Sequence, residues 1–524
     1  MSRFRLLHGL STAVLATIAS GPSRASAAPC EGLAALRLPQ TTITSARSVS
    51  AGTFQPPSAP APLPAAAAPP ARLSNLPGFC RVAATLAPTT DSAIAIEVWM
   101  PASGWSHRFQ GVGNGGFAGT ISYGAMADAL RLGNATASTD TGHMGPGGSF
   151  GMKHPEKVAD WGYRAIHVMT ETAKAIVQEF YGSRPEHSYF TGCSTGGHQG
   201  LSEAQRYPAD YDGILAGDHG ANRTHLHASF IWAFAVTQKD PAAAIPAGKL
   251  PVINKAVLDA CDALDGVKDG LLTDPRRCHF NPSSLLCAGA DRPTCLTAPQ
   301  ADAVRKLYDG TRNPRTGKLL YPGWPVGSET FGGVWTDPRS PQPAFSDLFT
   351  YWVFEDPAWD WRTFDFDRDM EKTDAKLGAV TTALNPELGP FRGRGGKLLL
   401  YHGFDDTRVA PQDSIDYFAS VVASMRRGED SAQGLALAQK FARLFMIPGM
   451  GHCAGGPGPT SFDGLGALEQ WVEHGVAPER IIGSHVENGA VTMTRPLCAY
   501  PEEAVYTGRG RTEDAASFVC RVVK

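Results

Sequence analysis

The residues with the clearest chemical role form the segment Gly-Cys-Ser-Thr-Gly at 192–196, which fits the pattern G-x-S-x-G. In that pattern a sharp turn between a strand and a helix exposes a serine hydroxyl as a nucleophile. The flanks agree, since residues 188–191 are typical of a short strand and residues 197–206 of a helix. A chance match in a chain with 57 glycines is the alternative. The strand–turn–helix context favours the interpretation that Ser194 is a nucleophile.

A serine hydroxyl is a weak nucleophile, so it requires a general base, and the base requires an acid that orients it. In the architecture built around this serine turn, the acid and then the base follow the serine along the chain, each on a loop after a late strand. The segment 402–406, His-Gly-Phe-Asp-Asp, and the segment 448–452, Pro-Gly-Met-Gly-His, both follow predicted buried strands. Asp406 and His452 are therefore the candidate acid and base, and Asp405 is an alternative acid.

Two cysteines adjoin these candidates, because Cys193 precedes the serine and Cys453 follows the histidine. If Ser194 and His452 lie within hydrogen-bonding distance, their neighbours come close enough for a disulfide. Two buried free thiols are the alternative. The chain has ten cysteines, and an even number in an exported protein favours disulfides. The sequence has no C-x-x-C pair, which argues against a zinc ribbon or a thioredoxin-like site.

The N-terminus has the order of a secretory signal peptide: basic residues at 1–5, a mostly apolar run at 6–19 and an A-x-A site at 25–27. We therefore expect cleavage after Ala27 and a secreted or periplasmic protein. The formal net charge of −3 provides no electrostatic basis for binding nucleic acid or an anionic membrane. No run of 18 apolar residues occurs, so no membrane-spanning helix is expected.

The order of the predicted elements indicates the fold. Strands alternate with helices before the serine and again after residue 390, which is typical of an α/β fold with a mostly parallel sheet. Together with the serine turn, this alternation predicts an α/β-hydrolase fold. The predicted strands are 93–100, 108–112, 134–139, 188–191, 396–401 and 441–447, and the predicted helices are 163–180, 197–206, 411–425 and 465–474.

The alternation stops between about 220 and 390, and we interpret this stretch as an inserted lid domain. Residues 28–79 are rich in Ala and Pro and are typical of an extended surface segment. The predicted organisation is a signal peptide at 1–27, an N-terminal Pro/Ala-rich segment at 28–79, a catalytic domain formed by 80–219 and 391–524, and a lid at 220–390.

These motifs resemble those of the tannase and feruloyl esterase family, which also contains the mono(2-hydroxyethyl) terephthalate hydrolase of plastic degradation. The matching segments are Gly-Cys-Ser-Thr-Gly-Gly at 192–197, Tyr-His-Gly-x-x-Asp at 401–406 and Pro-Gly-Met-Gly-His-Cys at 448–453. The resemblance extends from about residue 80 to residue 520. It implies a secreted serine esterase that acts on esters of aromatic acids. Carried over to this sequence, it implies the catalytic triad Ser194, Asp406 and His452, with Asp406 rather than Asp405 as the acid.

The resemblance also implies further features of the site. The oxyanion hole is expected from the backbone N–H groups of Thr195 and of Gly116, the latter in the glycine-rich loop at 113–116. A disulfide between Cys193 and Cys453 is part of the family pattern. The remaining cysteines are expected to pair as Cys30 with Cys80, Cys261 with Cys278, Cys287 with Cys295, and Cys498 with Cys520.

One segment of the lid suits a hard cation. Residues 261–271 place three carboxylates in a short loop with two glycines, and Ca²⁺ prefers oxygen ligands. From the residues alone a solvated acidic turn is an equally good interpretation, and the spacing is not that of an EF-hand. The family carries a calcium site here. The resemblance implies a structural Ca²⁺ held by Asp262, Asp265, Asp269 and the backbone carbonyls of Val267 and Leu271.

The lid also contains a run of large aromatic side chains. We expect most of them to form the core of the lid, because large rings bury much area in a small volume. The others are candidates to line a pocket for a flat aromatic acyl group. They are Phe345, Phe349, Tyr351, Trp352, Phe354, Trp359, Trp361, Phe364 and Phe366.

The expected partner is a small aromatic ester, and the resemblance leaves gallate, hydroxycinnamate and terephthalate half-esters open. We favour a phenolic acid, because the terephthalate enzyme binds a free carboxylate with a lid arginine and Arg339 does not align clearly with it. A serine peptidase of the same fold and a non-catalytic binding protein are the alternatives from other classes. A complete triad argues against a binding protein, which has no use for one.

Overall fold

The computed structural model describes residues 28–57, 70–334, 340, 342–425 and 431–523. The predicted signal peptide lies outside these residues. The described strands are β1 (Thr41–Val49), β2 (Phe79–Leu86), β3 (Ile94–Pro101), β4 (Arg108–Val112), β5 (Ala135–Thr139), β6 (His187–Cys193), β7 (Gly213–Gly217), β8 (Thr311–Arg312), β9 (Leu319–Tyr321), β10 (Lys397–Gly403), β11 (Ala442–Ile447), β12 (Arg480–Glu487), β13 (Ala490–Cys498), β14 (Glu502–Tyr506) and β15 (Phe518–Val522).

Nine strands form one central sheet in the order β1-β2-β3-β5-β4-β6-β7-β10-β11. The pairs from β5 to β11 are parallel, and the three pairs at the β1 end are antiparallel. The mostly parallel α/β sheet predicted from the sequence is thus confirmed. Since parallel strands end at the same edge, the loops that follow β6, β10 and β11 meet there.

Helices cover both faces of the sheet. The central strands are consequently continuous apolar runs, as in β10, where Leu398, Leu399 and Leu400 are all fully buried. The α-helices are α1 (Tyr123–Arg131), α2 (Pro155–Ala159), α3 (Ala165–Tyr181), α4 (Thr195–Arg206), α5 (Arg223–Gln238), α6 (Leu250–Cys261), α7 (Ala298–Asp309), α8 (Arg368–Thr373), α9 (Ala379–Thr381), α10 (Gly389–Gly393), α11 (Pro411–Ser424), α12 (Ser431–Ala438) and α13 (Gly464–His474).

The central sheet begins earlier than the sequence suggested. Part of the stretch interpreted as an extended Pro/Ala-rich segment forms β1, which pairs antiparallel with β2 at the edge of the sheet. Residues of β1 alternate between partly buried and exposed, and the strand is rich in Thr and Ser. An edge strand of this composition buries little apolar surface, so it leaves a weak pattern in the sequence.

Between β7 and β10 the chain adds no strand to the central sheet within the described residues. This insertion contains α5 to α10 and the short hairpin formed by β8 and β9. Most of its aromatic residues do form its own core, as expected: Phe349, Trp352, Trp361, Phe364 and Phe366 are buried together. They also pack on Phe117 and Trp161 from outside the insertion. The boundaries 220 and 390 remain an interpretation of the sequence.

Within the described residues, no helix has the length and apolar character needed to cross a membrane.

Candidate active site

The nucleophile candidate lies on a strained turn between β6 and α4. Ser194 precedes the first residue of α4 and has φ 64° and ψ −119°, a conformation that side-chain-bearing residues rarely adopt. Its N–H donates to the carbonyl of Gly217 at 3.0 Å, which holds the turn against β7. A Cβ on Gly192 would lie 2.6 Å from the backbone of Gly196, and one on Gly197 would lie 2.3 Å from the Gly217 oxygen. The glycines therefore allow the close approach that the turn requires.

The acid and base candidates meet at the same edge of the sheet. His452 Nδ1 lies 2.7 Å from Asp406 Oδ2. The other oxygen of Asp406 accepts the N–H groups of Arg408 at 2.7 Å and Val409 at 3.0 Å. Burial raises the pKa of Asp406, but the charge of His452 and the hydrogen bond with His402 outweigh burial, and its pKa lies well below the usual range. Asp406 is therefore ionised and able to orient the imidazole of His452.

The alternative acid, Asp405, has a different environment. Its backbone N–H donates to the carbonyl of Met450 at 2.9 Å. Burial, reinforced by the charge of Glu329, raises the pKa of its carboxyl to about 8. Asp405 is thus mostly protonated at neutral pH, and of the two neighbouring carboxyl groups only that of Asp406 accepts a hydrogen bond from His452 within the described residues.

The serine and the histidine are linked covalently through their neighbours. Cys193 and Cys453 form a disulfide with a Cα–Cα distance of 5.9 Å across 260 residues of sequence. The bond joins the end of β6 to the loop that follows β11. It holds the nucleophile turn beside the base, as the geometric argument and the resemblance both suggested.

The glycine-rich loop after β4 lies beside the nucleophile turn. The N–H of Gly113 donates to Thr191 O at 2.9 Å and that of Asn114 donates to Gln199 Oε1 at 3.0 Å. The N–H groups of Gly115 and Gly116 donate to no residue in the described part of the chain. Thr195 is the first residue of α4, so its N–H has no partner within the helix. The glycine-rich loop and the start of α4 thus each offer a backbone N–H group without a partner in the described part of the chain. The oxyanion hole of Thr195 and Gly116 stays a prediction.

Known proteins resemble this chain over most of its length. The family model described as tannase and feruloyl esterase matches residues 80–521. The chain belongs to this family. Its members are esterases, and the chain is accordingly a carboxylic ester hydrolase.

Individual relatives agree with the family match. A protein named an uncharacterized esterase in Xanthomonas campestris pv. campestris is 40% identical over 97% of this chain and 93% of that protein. A probable feruloyl esterase B-2 of Aspergillus terreus is 34% identical over 84% of this chain and 86% of that protein. The crystal structure of feruloyl esterase B from Aspergillus oryzae is 30% identical, with a TM-score of 0.85 over 94% of this chain and 99% of that chain.

A more distant structure supports the fold. The tannin acyl hydrolase of Aspergillus niger is 20% identical, with a TM-score of 0.70 over 95% of this chain and 94% of that chain. The resemblance found in the sequence motifs and the α/β fold class are therefore confirmed.

The other eight cysteines are also paired. The structure joins Cys30 to Cys80, Cys261 to Cys278, Cys287 to Cys295, and Cys498 to Cys520, as the family resemblance implied. The first of these attaches the N-terminal segment to β2. The second closes the acidic loop of the insertion.

A buried histidine next to the candidate acid Asp406 was not singled out from the sequence. His402 Nε2 lies 3.3 Å from Asp406 Oδ2 and 3.5 Å from Asp218 Oδ1, and its Nδ1 lies 2.6 Å from Ser414 Oγ. Burial lowers the pKa of His402, but the charge of Asp218 and the hydrogen bond with Asp406 outweigh burial and raise it. His402 therefore supports the negative charge of Asp406 at Oδ2, the same oxygen that His452 contacts. Its position in the Tyr-His-Gly motif was the available signal.

The acidic loop of the insertion has the donor set for a hard cation. The pKa of Asp262 is raised by burial and also by the charges of Asp269 and Asp265, so the three carboxylates lie close enough to repel one another. Asp269 is paired with Arg495 at 2.7 Å. The carbonyls of Val267 and Leu271 accept no hydrogen bond from the described residues. Such a set of oxygens fits Ca²⁺.

Arg339, the candidate for binding a distal carboxylate, lies outside the described residues.

Proposed function

We propose that this chain is a secreted serine esterase that hydrolyses esters of phenolic acids of the ferulate type through an acyl-enzyme. The proposal rests on membership of the tannase and feruloyl esterase family together with one observation of geometry. That observation is the contact of 2.7 Å between His452 and an ionised Asp406, at the sheet edge where Ser194 lies on a strained turn. A binding protein has no use for this arrangement, whereas acyl transfer requires it.

In the proposed reaction Ser194 Oγ attacks the ester carbonyl carbon while its proton passes to His452 Nε2. The carbonyl electron pair moves onto oxygen, where the N–H groups of Thr195 and Gly116 stabilise the negative charge. The tetrahedral intermediate then collapses and His452 protonates the leaving alcohol, which leaves an acyl group on Ser194. Water, activated by the same histidine, releases the acid and restores the serine.

A strained aromatic residue supports an aromatic acyl group. Phe345 has φ 58°, which is rare for a bulky residue and marks functional positions. Its carbonyl accepts a hydrogen bond of 3.0 Å from Nδ1 of the buried His227, which holds the strained backbone. Its ring lies 3.4 Å from the position that a Cβ on Gly116 would occupy. An aromatic face is thus held beside the predicted oxyanion hole, where the acyl group of a substrate must lie.

Phe345 has further aromatic neighbours on one side. Its ring centroid lies 5.9 Å from that of Phe117 and 5.3 Å from that of Phe230. Phe345 itself is only partly buried. A flat acyl ring is therefore expected to stack on the exposed part of this cluster and to exclude water from the ester bond.

We further propose that the acidic loop binds one structural Ca²⁺ through Asp262, Asp265, Asp269 and the carbonyls of Val267 and Leu271. The mutual repulsion of the three carboxylates supports this assignment. When bound, the ion neutralises these charges and fixes the loop.

Export is part of the proposal. Five disulfides within the described residues favour an oxidising compartment. Release of residues 1–27 on secretion from the native host is the corresponding expectation, and N-terminal sequencing of the exported protein tests it.

The experiment that tests the substrate class is a comparison of kcat/KM for methyl ferulate, methyl gallate, mono(2-hydroxyethyl) terephthalate and methyl butyrate. Discrimination between acyl groups lies in transition-state binding, so kcat/KM is the quantity to compare. We expect the phenolic esters to exceed butyrate by at least about tenfold, which is the contribution of a buried aromatic contact. Equal or higher kcat/KM for butyrate would show that the site is not a phenolic-acid pocket.

A further inference from the structure

A buried arginine lies next to the predicted oxyanion hole. Arg223, the first residue of α5, is 4% exposed. Its Nη2 donates to Thr195 Oγ1 at 3.0 Å, and its guanidinium lies over the ring of Trp161 with 5.1 Å to the centroid. No described carboxylate forms a salt bridge with Arg223, and none is among the groups that shift its pKa. Because a buried charge without a counter-ion destabilises a fold, its presence here calls for a functional reason.

The charge of Arg223 is retained and is not compensated locally. Burial lowers the pKa of Arg223 only to about 10, so the guanidinium is charged at neutral pH. The pKa of His198 and the pKa of His227 are each lowered by burial and then by the charge of Arg223. Both histidines are therefore neutral. The charged group beside them is the guanidinium of Arg223, which remains a cation.

Thr195 connects this cation to both sides of the predicted oxyanion hole. Its hydroxyl has one hydrogen, which it donates to the carbonyl of Gly116 at 2.7 Å. The same oxygen accepts from Arg223, so the arginine directs the hydroxyl hydrogen towards Gly116. Thr195 and Gly116 are the two residues expected to present backbone N–H groups to the oxyanion. The chain of hydrogen bonds from Arg223 to Thr195 to Gly116 consequently fixes their spacing.

We infer that Arg223 is a positioning residue of the oxyanion hole, which acts through the Thr195 hydroxyl and brings a positive charge to the place where the ester oxygen becomes negative. The inference rests on the proposed attack of Ser194 on the ester carbonyl. In that step the Ser194 Oγ–carbon bond forms, the serine proton moves to His452, and the carbonyl π pair becomes the negative charge on oxygen. A fixed cation and fixed donors in a buried site stabilise that charge without reorganising when it forms.

Four variants test this role: Arg223→Met, Arg223→Lys, Thr195→Val and Thr195→Ser. The activity measured is hydrolysis of 4-nitrophenyl acetate, which does not depend on a pocket for an aromatic acid. Removing one oxyanion donor typically lowers kcat by roughly 10²–10³-fold. Since Arg223 acts through another residue, we expect Arg223→Met and Thr195→Val each to lower kcat about tenfold to a hundredfold, with KM changed less than about threefold. Arg223→Lys and Thr195→Ser are expected to recover part of the loss.

Two further measurements separate this role from a purely structural one. Phenylboronic acid forms a tetrahedral anion on an active serine, and its affinity should fall with kcat in Arg223→Met, while the affinity for ferulic acid stays unchanged. The variant with both Arg223→Met and Thr195→Val should have a kcat no lower than that of the less active single variant, because the two residues act as one unit. If Arg223→Met does not fold, the Thr195 pair and Arg223→Lys decide the question.

Arg443→Met is the matched control. Arg443 also lies over an indole ring, 5.6 Å from the centroid of Trp471, and among the described residues its guanidinium donates to backbone carbonyls alone. It lies near the start of β11, remote from the proposed triad. It should keep the kcat of the wild type. A folded Arg223→Met variant with unchanged kcat, or one that changes only KM, would overturn the inference. A wild-type protein that hydrolyses 4-nitrophenyl acetate but not methyl ferulate would instead count against the proposed substrate.

Discussion

Two adjacent carboxyl groups, Asp405 and Asp406, illustrate how environment assigns roles to single residues. Asp406 accepts hydrogen bonds from His452, Arg408 and Val409, and its charge is further supported by His402. Asp405 is buried beside Glu329 and keeps its proton, since its pKa is raised to about 8. Two adjacent residues of the same type thus differ in protonation, since Asp406 is ionised and Asp405 is neutral. Only Asp406 is suited to orient the base.

The substitution Asp406→Asn should abolish most of the esterase activity. An amide neither stabilises the imidazolium nor fixes the tautomer of His452, and loss of such a carboxylate costs roughly 10⁴-fold in kcat in serine hydrolases. Asp405→Asn is the control and should keep kcat within about threefold of the wild type. Steady-state kinetics on one ester measures both. The opposite ranking would show that the acid is Asp405.

The substitution Asp405→Asn should also change how stability depends on pH. The Asp405 carboxyl keeps its proton in the folded state up to a pKa of about 8 but releases it near 3.8 when unfolded. Raising the pH through this window therefore lowers the free energy of unfolding of the wild type, because the unfolded state binds fewer protons. Asparagine has no proton to lose, so the Tm of Asp405→Asn relative to the wild type should increase from pH 5 to pH 8. A Tm difference that is independent of pH would contradict the assigned pKa.

At the scale of elements, the nucleophile turn and the base loop depend on the Cys193–Cys453 disulfide for their relative position. A change of both cysteines to serine removes this link but leaves the glycine-mediated packing of the turn against Gly217. Misplacement of a base by about 1 Å costs about a hundredfold in rate. We expect the double variant to lose about that factor in kcat under conditions where circular dichroism shows it folded.

The control for this prediction is the pair Cys287→Ser and Cys295→Ser, which removes a disulfide of the insertion that closes a short loop. That variant should keep its kcat. Full activity without the Cys193–Cys453 bond would mean that packing alone positions the base.

The sequence predicted the buried strands β10 and β11 well, and the reason is physical. β10 and β11 are continuous apolar runs because both faces are covered, and their boundaries differ from the predicted ones by one or two residues. β7 was missed, since its sequence Gly-Ile-Leu-Ala-Gly is short and carries small residues. Those glycines leave room for neighbouring rings: a Cβ on Gly217 would lie 1.9 Å from the ring of Tyr401. Such close contacts between distant segments have no local signal.

Prediction of the candidate site was limited in the same way, because contacts between distant segments have no local signal in the sequence. Ser194, Asp406 and His452 could be proposed from the sequence because motif order predicts where the members of a triad lie. Arg223 and Asp218 were not found, because only the folded chain brings them to the nucleophile turn and the acid. Neither an arginine nor an aspartate is expected to be buried on the basis of residue type, so the sequence does not indicate these contacts.

At the scale of the whole molecule, the acidic loop connects the insertion to two other parts. Asp269 pairs with Arg495 of the hairpin formed by β12 and β13. The Leu271 side chain lies 2.5 Å from the position that a Cβ on Gly449 would occupy, so it packs directly on the loop that carries His452. A fixed acidic loop thus supports the base loop from outside the catalytic site.

Removal of the calcium proposed for this loop should lower the Tm, because a ligand that binds only the folded state stabilises it by mass action. We expect a lower Tm in excess EDTA, recovery with added Ca²⁺ and about one calcium per chain by elemental analysis. Asp265→Asn should show a smaller response to EDTA than the wild type. A melting curve that EDTA leaves unchanged, in a protein that contains no metal, would contradict the proposed site.

The proposed function depends on attack of Ser194 on esters of phenolic acids. The most direct test is the hydrolysis of methyl ferulate by the wild type and by Ser194→Ala, with release of ferulic acid followed by chromatography. Removing the hydroxyl leaves the strained turn in place but eliminates the acyl-enzyme route. We expect ready turnover by the wild type and a loss of roughly 10⁶-fold in kcat for the folded variant. Wild-type-like turnover by Ser194→Ala, or no turnover of methyl ferulate by the wild type, would contradict it.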